Sequence, residues 1–227
     1  MKLSKQTVEI LKNFNNINPG IYFNKGNTQK TISINREILA EAELEESFPK
    51  DFGIYDLAKF LAIFSIHKSD PELEFEDVNI IISGYDNRSK VKYRCSEKEM
   101  IHTPPDKKIR DTEVEVKLSI SATDFDWCMR NASVLSSPNI VIESDGEKVY
   151  MTTKDLKDNS SNSNILEIGE GNGDVYKMMF KTETLGKIIS GNYDVEISSS
   201  GISKFINKDV PIKYWIVMET GSEYQPA

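Results

Sequence analysis

Residues 1–17, MKLSKQTVEILKNFNNI, carry the hydrophobic pattern of an amphipathic helix. At about 100° per residue, helical winding gathers on one side Leu3, Val8, Ile10, Leu11 and Phe14. The opposite side collects basic and amide residues, namely Lys2, Lys5, Lys12, Asn13 and Asn16. Glu9 interrupts that basic side. The pattern predicts a helix that turns an apolar face to a core and a basic face to solvent.

Strand patterns dominate the rest of the chain. TEVEVKLSIS (112–121) alternates apolar and polar residues, as a half-buried strand does. NIVIESDGEKVYMTT (139–153) places two strand-like runs around Asp-Gly, which predicts a β-hairpin. Further predicted strands are GIYFN, QKTISI, LEFEDVNIIIS, KVKYRC, NILEI, DVYKMMF, NYDVEISSS and IKYWIVM.

Three more helices are predicted, beginning near Tyr55, Thr123 and Thr182. Each one leaves a basic side chain away from its apolar face; these are Lys59, Arg130 and Lys187. Trp127 lies on the exposed side of the third helix, where it could stack on a ligand or pack on a neighbouring element. Lysine is common on any solvated helix face, so the pattern alone leaves a structural and a binding interpretation open.

The order of these elements repeats. Residues 1–96 read as helix, strands, helix, strands, and residues 113–227 follow the same order. Residues 97–112 contain Pro104-Pro105 and many charges, which indicates a connector between two domains. The predicted fold class is α+β, with two similar domains whose helices cover one face of antiparallel sheets.

Composition narrows the class of protein. The chain has 28 Lys and Arg against 36 Asp and Glu, a net charge of -8, and 38% hydrophobic residues. It lacks a run of about 18 apolar residues and a secretory signal, so we expect a soluble cytoplasmic protein that meets no membrane. Cys95 and Cys128 are isolated from each other and are expected to be reduced thiols. Because an acidic chain binds nucleic acid only through a local basic surface, the clustering of cations on helices matters.

No catalytic constellation is predicted. GEGNGD (169–174) precedes a strand rather than a helix, so it is expected to be a hairpin loop and not a phosphate site. The carboxylates of EAELEE and DPELEFED have no histidine beside them, and His67 and His102 stand alone. We therefore expect no enzyme activity, no metal and no cofactor.

Two segments, MKLSK…LKNF near the start and DFGIYDLAKFLAI (51–63), resemble the sliding clamp, or DNA polymerase processivity factor, of T-even-like bacteriophages. SGNYDVEI (190–197) and the order of elements extend the resemblance along the chain. The resemblance implies a homotrimeric ring in which six similar domains enclose duplex DNA, with helices lining the hole and sheets outside. On that model the side chains facing DNA are Lys2, Lys5, Lys12, Lys59, Arg130 and Lys187. Their contacts with phosphates are expected to be independent of sequence.

The resemblance also implies partners in the cytoplasm of an infected bacterial host. They are the phage DNA polymerase and an ATP-driven clamp loader, whose peptides would enter an apolar pocket framed by the connector and the second domain. The residues expected there are Met100, Ile101, Ile109, Tyr214, Trp215 and Val217. Trp215 could equally be a core residue of a central strand.

Two further expectations complete the hypothesis. Closing the ring requires an edge strand of the first domain to pair with an edge strand of the second domain in the next chain. The alternative function is that of a non-catalytic, strand-rich viral structural or assembly protein that does not bind DNA.

Overall fold

The computed structural model describes residues 1–66, 71–84, 88–105, 113–158 and 160–227. The chain divides into two compact units. Unit 1 comprises residues 1–108 and 210–212, and unit 2 comprises residues 109–209 and 213–227.

Unit 1 alternates helices and antiparallel strands. In chain order its elements are α1 (Lys5–Ile17), β1 (Ile21–Phe23), β2 (Gly26–Ile32), β3 (Ile38–Phe48), β4 (Phe52–Ile54), α2 (Leu57–Ile66), β5 (Glu72–Phe75), β6 (Asn79–Gly84), β7 (Ser89–Arg94) and a 3-10 turn (Lys98–Met100). Strand β1 pairs with β4, β2 pairs with β3, and β5, β6 and β7 form a three-stranded sheet in that order.

The core of unit 1 lies between α1 and the β2–β3 pair. Buried and exposed residues alternate along β3, where Ile38, Ala40, Ala42 and Leu44 are buried. Helix α1 packs against β3 with its own apolar face. Small alanines at the contact leave room for a close approach between helix and sheet.

Unit 2 repeats this order and adds a strand at its start. Its elements are β8 (Val116–Ile120), α3 (Ala122–Val134), β9 (Asn139–Asp145), β10 (Lys148–Lys154), β11 (Asn164–Glu170), β12 (Val175–Lys181), α4 (Thr182–Leu185), β13 (Tyr193–Ser198), β14 (Ile202–Asn207), β15 (Ile212–Val217) and β16 (Glu223–Gln225). One sheet has the order β11-β10-β9-β12-β16, and β8, β13, β14 and β15 are neighbours in another. Every strand pair among the described residues of unit 2 is antiparallel.

The predicted Asp-Gly hairpin is present. Gly146 has φ +95°, the left-handed region that glycine adopts without strain. The Asp145 carboxylate accepts hydrogen bonds from the backbone N–H groups of Glu147 (3.0 Å) and Lys148 (2.8 Å). These contacts fix the turn, and Val149 then pairs with Ser144 across the hairpin.

The predicted α+β class with antiparallel sheets is confirmed, but some local predictions are wrong. LEFEDVNIIIS forms two strands, β5 and β6, instead of one. The fourth helix ends at Leu185, because Gly186 follows as its C-cap residue. GEGNGD is not a hairpin loop, since β10 and β9 lie between β11 and β12 in the sheet.

Candidate nucleic-acid interface

Helix α1 is held at its N-terminus by two side chains. Ser4 is the N-cap residue, and its hydroxyl accepts a hydrogen bond from the Thr7 N–H at 3.1 Å. The Glu46 carboxylate, from β3, accepts hydrogen bonds from the Ser4 N–H and from the Thr7 hydroxyl. A carboxylate at this end of a helix also interacts favourably with the helix dipole. These contacts set the orientation of α1 on the sheet.

The exposed face of α1 carries two cations. Lys5, Lys12 and Asn16 are exposed, with Glu9 also exposed between the lysines. Among the described residues, no carboxylate lies within 4.0 Å of the Lys5 or Lys12 ammonium group in an ion pair. Their charge is therefore available to an external anion.

Two members of the predicted basic face lie elsewhere. Lys2 is exposed, but it precedes the helix because Ser4 is the N-cap residue and α1 begins at Lys5. Lys2 instead forms a β-bridge with Glu72. Asn13 is buried, with 6% of its surface exposed. It lies about 80° around the helix from Lys5, at the border with the apolar side.

Helix α2 packs against α1 in unit 1. A groove of about 280 Å³ separates their surfaces, and Lys5 and Lys12 line it on the α1 side while Leu61 and Phe64 line it on the α2 side. The Lys59 side chain is 75% exposed, and its ammonium group lies 3.7 Å from the Asp56 carboxylate. A solvated pair of this kind contributes little free energy, so Lys59 still presents positive charge.

Helix α3 supplies one cation in unit 2. Its N-cap is Ser121, whose hydroxyl accepts a hydrogen bond from the Asp124 N–H at 3.1 Å. Phe125 and Cys128 are buried, so the opposite side of α3 faces solvent. Arg130 and Trp127 lie on that exposed side. Trp127 is 53% exposed, so its indole is only partly packed.

Lys187 does not occupy the predicted position. It follows the short α4 instead of lying within a helix, because the helix ends before Gly186. Its side chain is 24% exposed, and its ammonium group lies 3.6 Å from the Glu183 carboxylate. Lys187 is thus a largely covered, paired cation and not a projecting one.

The residues predicted for the partner pocket separate into distinct environments. In unit 1, Met100 and Ile101 line a cavity of about 450 Å³ together with Ile34, Tyr55 and His102. Met100, Ile34 and Tyr55 are more than half exposed, which makes this cavity an apolar surface pocket. Ile109 lies outside the described residues.

The three residues predicted from β15 face two sides of that strand. Tyr214 is fully buried, its hydroxyl accepts a hydrogen bond from the Ile189 N–H at 3.2 Å, and burial strongly raises its pKa. Its assignment to a surface pocket is therefore wrong, because strand alternation turns it into the core. Trp215 is half-buried on the other side, with the Lys213 ammonium 5.5 Å from its ring centre, and Val217 is exposed on that same side.

Sequence reasoning missed two features. Glu46 lies in a run of carboxylates, and only the fold shows that it caps α1. The edge strand β7 carries a row of exposed cations at alternate positions, namely Lys90, Lys92 and Arg94. The alternation in SKVKYR is a signal that could have revealed this row.

The described residues contain neither a cluster of metal-binding side chains nor a membrane-spanning helix. No group of three or more His, Cys, Asp or Glu among them is placed to hold a metal ion. No described helix has the length and apolar character needed to cross a membrane. Burial raises the pKa of the Cys128 thiol to about 12, so this thiol stays protonated near neutral pH.

Comparisons with known proteins point to one family. The family model described as DNA polymerase processivity factor matches residues 2–102. The sliding clamp of Escherichia phage RB69 is 32% identical over 233 residues, covering 99% of both chains. The sliding clamp of Vibrio phage KVP40 is 29% identical over 224 residues, covering 96% of this chain and 99% of that one.

Solved structures share the fold at low sequence identity. The proliferating cellular nuclear antigen of Entamoeba histolytica matches with a TM-score of 0.71 at 13% identity, covering 96% of this chain and 97% of that one. A. fulgidus PCNA, solved with the C-terminal region of FEN-1, matches with a TM-score of 0.70 at 18% identity, covering 95% and 97%.

Proposed function

The chain belongs to the sliding-clamp family of DNA polymerase processivity factors, and we propose that three copies of it close into a ring around duplex DNA. As a clamp it tethers the replicative polymerase. A tether raises the effective concentration of polymerase at the primer end without adding contacts to the polymerase active site. Membership of this family does not support the alternative function, that of a viral assembly protein that does not bind DNA.

The charge distribution of unit 1 is the observation that carries the DNA-binding part of the proposal. Lys5 and Lys12 project from the exposed side of α1, whose other side packs on β3. Glu43 and Glu45 are exposed and alternate with the buried residues of β3, which places them on the face of the strand turned away from α1. One surface thus attracts phosphates and the opposite surface repels them. Such a unit favours DNA on its helical side only.

The proposed DNA surface consists of Lys5, Lys12 and Lys59 in unit 1 and Arg130 in unit 2, with Lys2 beside α1. Lysine ammonium groups on long side chains suit contacts with phosphates that carry no sequence information. Lys187 contributes less, since its side chain is only 24% exposed whereas that of Lys59 is 75% exposed. Binding through a few such contacts is weak and salt-dependent, which agrees with retention by encirclement.

For ring closure we propose pairing between β7 of one chain and β11 of the next. In the described structure each of these strands is the edge of its sheet. Strand β7 presents Lys90, Lys92 and Arg94, whereas β11 presents Glu167 and Glu170. Opposite charges along the two edges favour this pairing over pairing of like edges.

The partners proposed are the phage polymerase and an ATP-driven clamp loader, acting in the cytoplasm of an infected bacterium. The apolar cavity at Met100 and Ile101 has a volume suited to a peptide anchor. Trp215 and Val217 offer a second partly exposed apolar surface on β15.

We assign residues 97–112 as the connector between a domain of residues 1–96 and a domain of residues 113–227. The chain acts as a tether and not as a catalyst.

Light scattering over a range of concentrations tests the ring first. We expect a species of about 77 kDa, three times the 25.8 kDa of one chain. A loading assay on circular DNA then tests encirclement, because a closed ring stays on a circle and slides off after the circle is linearised. A chain that remains monomeric at micromolar concentration, or that leaves circular and linear DNA equally fast, would contradict the proposal.

A further inference from the structure

Unit 2 contains an apolar groove that neither DNA encirclement nor the connector pocket uses. It runs across the five-stranded sheet from β11 to β16 and has a volume of about 650 Å³. We call it the β11–β16 groove. Its lining includes Tyr150, Ile165 and Val175, with Glu143, Asp145 and Glu223.

The groove lies on the face of the sheet that is turned away from the core. Ile140, Ile142 and Phe180 are fully buried on one face, and the groove residues occupy the alternating positions. Tyr150 and Glu143 are cross-strand partners, as are Val175 and Asp145. The sheet therefore holds the groove residues in a fixed array before any ligand binds.

Apolar side chains on this face are exposed to an unusual degree. Ile165 is 65% exposed and Val175 is 43% exposed. Tyr150, between them in the sheet, is half-buried and adds an aromatic surface with a polar end. A concave apolar surface bordered by polar groups is typical of a site that receives a side chain from a partner.

The charges around the groove are predominantly negative. Glu143, Asp145 and Glu223 line it, with Lys177 as the one basic residue in the described lining. Backbone N–H groups of Lys148 and Glu147 hold the pKa of Asp145 below its ordinary value, so this carboxylate stays ionised. Desolvation and the Asp145 charge raise the pKa of Tyr150.

Neighbouring lysines offset only part of this charge. The Lys148 ammonium lies 2.6 Å from Glu170 and 3.0 Å from Glu167, outside the groove. The Lys154 ammonium lies 3.3 Å from Glu143 and offsets that carboxylate. Lys177 is the cross-strand partner of both Glu223 and Glu143. Three carboxylates against Lys154 and Lys177 leave a net charge of about -1 at the groove, carried mainly by Asp145. A cationic ligand is favoured there, and phosphate groups or acidic peptides are disfavoured.

We propose that the β11–β16 groove is a docking site for a peptide segment of a partner protein that carries an aromatic or aliphatic anchor flanked by lysine or arginine. The anchor would pack on Ile165, Val175 and Tyr150, while the flanking cations would pair with Asp145 and Glu223. This site does not depend on the ring or on DNA. The backbone edge of β11 remains available for strand pairing, because the Ile165 side chain points to the face of the sheet.

Methyl NMR of the full-length chain, labelled at isoleucine and valine methyl groups, provides the test. The probe is a seven-residue peptide with two central phenylalanines flanked by lysines, and the control peptide has glutamates in place of the lysines. We expect saturable shifts of the Ile165 and Val175 resonances with the lysine peptide alone. Val78 is 53% exposed and lines neither this groove nor the cavity of unit 1, so its resonance is the internal control and should not move.

Two substitutions sharpen the test. We expect Ile165→Ser and Glu223→Lys each to weaken binding at the groove by about tenfold, with Val78→Ser as the matched variant that leaves it unchanged. Equal binding of the acidic peptide, shifts at Val78 as large as those at Ile165, or no saturable shift at Ile165 would overturn the proposal. Loss of the oligomer in Glu223→Lys, which lies in β16 and not in β11, would also overturn it, because the groove would then be a contact between copies of the chain.

Discussion

The carboxylate of Glu46 in β3 accepts a hydrogen bond of 2.5 Å from the hydroxyl of Thr7 in α1. The same carboxylate accepts the Ser4 N–H at the start of that helix. One side chain thus joins the sheet to the helix that presents Lys5 and Lys12. The orientation of these lysines depends on a residue that carries the opposite charge.

Replacing Glu46 with alanine should therefore destabilise unit 1. Loss of the carboxylate leaves the Ser4 N–H and the Thr7 hydroxyl without this acceptor, and we expect a cost of about 1–3 kcal/mol. Urea unfolding followed by circular dichroism measures the loss. Glu45→Ala is the matched control, since Glu45 is exposed on the opposite face of β3, and it should change stability by less than about 0.5 kcal/mol. Equal effects of the two variants would contradict the anchoring role of Glu46.

Reversing the charge of Lys5 and Lys12 together should impair the clamp without breaking the oligomer. Two glutamates on the exposed face of α1 would repel phosphates, and we expect about a tenfold or greater loss of processive synthesis. Primer extension with polymerase and loader measures the product length, and light scattering checks the mass. The control is the double variant Lys25→Glu/Lys157→Glu, which changes the net charge equally at exposed turn positions. Normal processivity of the α1 variant would remove these lysines from the DNA surface.

Charge reversal at the sheet edges should separate the chains. Lys90→Glu/Lys92→Glu on β7 would place carboxylates opposite Glu167 and Glu170, and we expect the mass to fall toward 25.8 kDa. Adding Glu167→Lys and Glu170→Lys to the same chain should restore assembly, because each acidic β7 edge then meets a basic β11 edge at all three contacts of the ring. Sedimentation velocity compares the two variants. An unchanged mass in the Lys90→Glu/Lys92→Glu variant would place the contact on other strands.

A backbone site next to the unit 1 cavity gives a prediction on packing. A Cβ at Gly53 would lie 2.4 Å from the Ser96 carbonyl oxygen and 2.6 Å from the Ile101 Cδ1 atom. Gly53→Ala should cost about 1–3 kcal/mol because the backbone and Ile101 must move. Gly169→Ala is the comparison, since nothing lies within 4 Å of its Cβ position. Thermal unfolding of the two variants measures the difference, and equal melting temperatures would refute it.

Alkaline pH should lower the free energy of unfolding, because it ionises a buried thiol and a buried phenol. Burial raises the pKa of Cys128 and of Tyr176 to about 12 each, above the ordinary values of 9.0 for a thiol and 10.0 for a phenol. The folded state therefore retains protons that the unfolded state has lost, and stability present below pH 9 declines as pH rises toward 12. Urea midpoints at pH 8 and pH 10.5 measure the decline. Cys128→Ala should reduce the slope, and a midpoint independent of pH would contradict the assignment.

Local sequence patterns predicted α1 and the β9–β10 hairpin because each depends on neighbouring residues alone. Strand β3 was missed, since the carboxylates of EAELEE obscured an alternation in which two of the buried residues are alanines. Tyr214 was assigned to a pocket because an aromatic residue near the C-terminus suits a docking surface, whereas strand alternation buries it. The role of Glu46 depends on a contact between residues 39 positions apart, which composition and periodicity do not reveal.

Glu9, exposed between Lys5 and Lys12, bears on how fast a clamp can travel. A row of cations alone would make deep energy wells at each phosphate, and escape from every well would act as friction. A carboxylate within the row makes those wells shallower, since it repels the phosphate that its neighbours attract. On the DNA surface that we propose, Glu9 therefore favours rapid one-dimensional diffusion with little drag from the clamp on the polymerase.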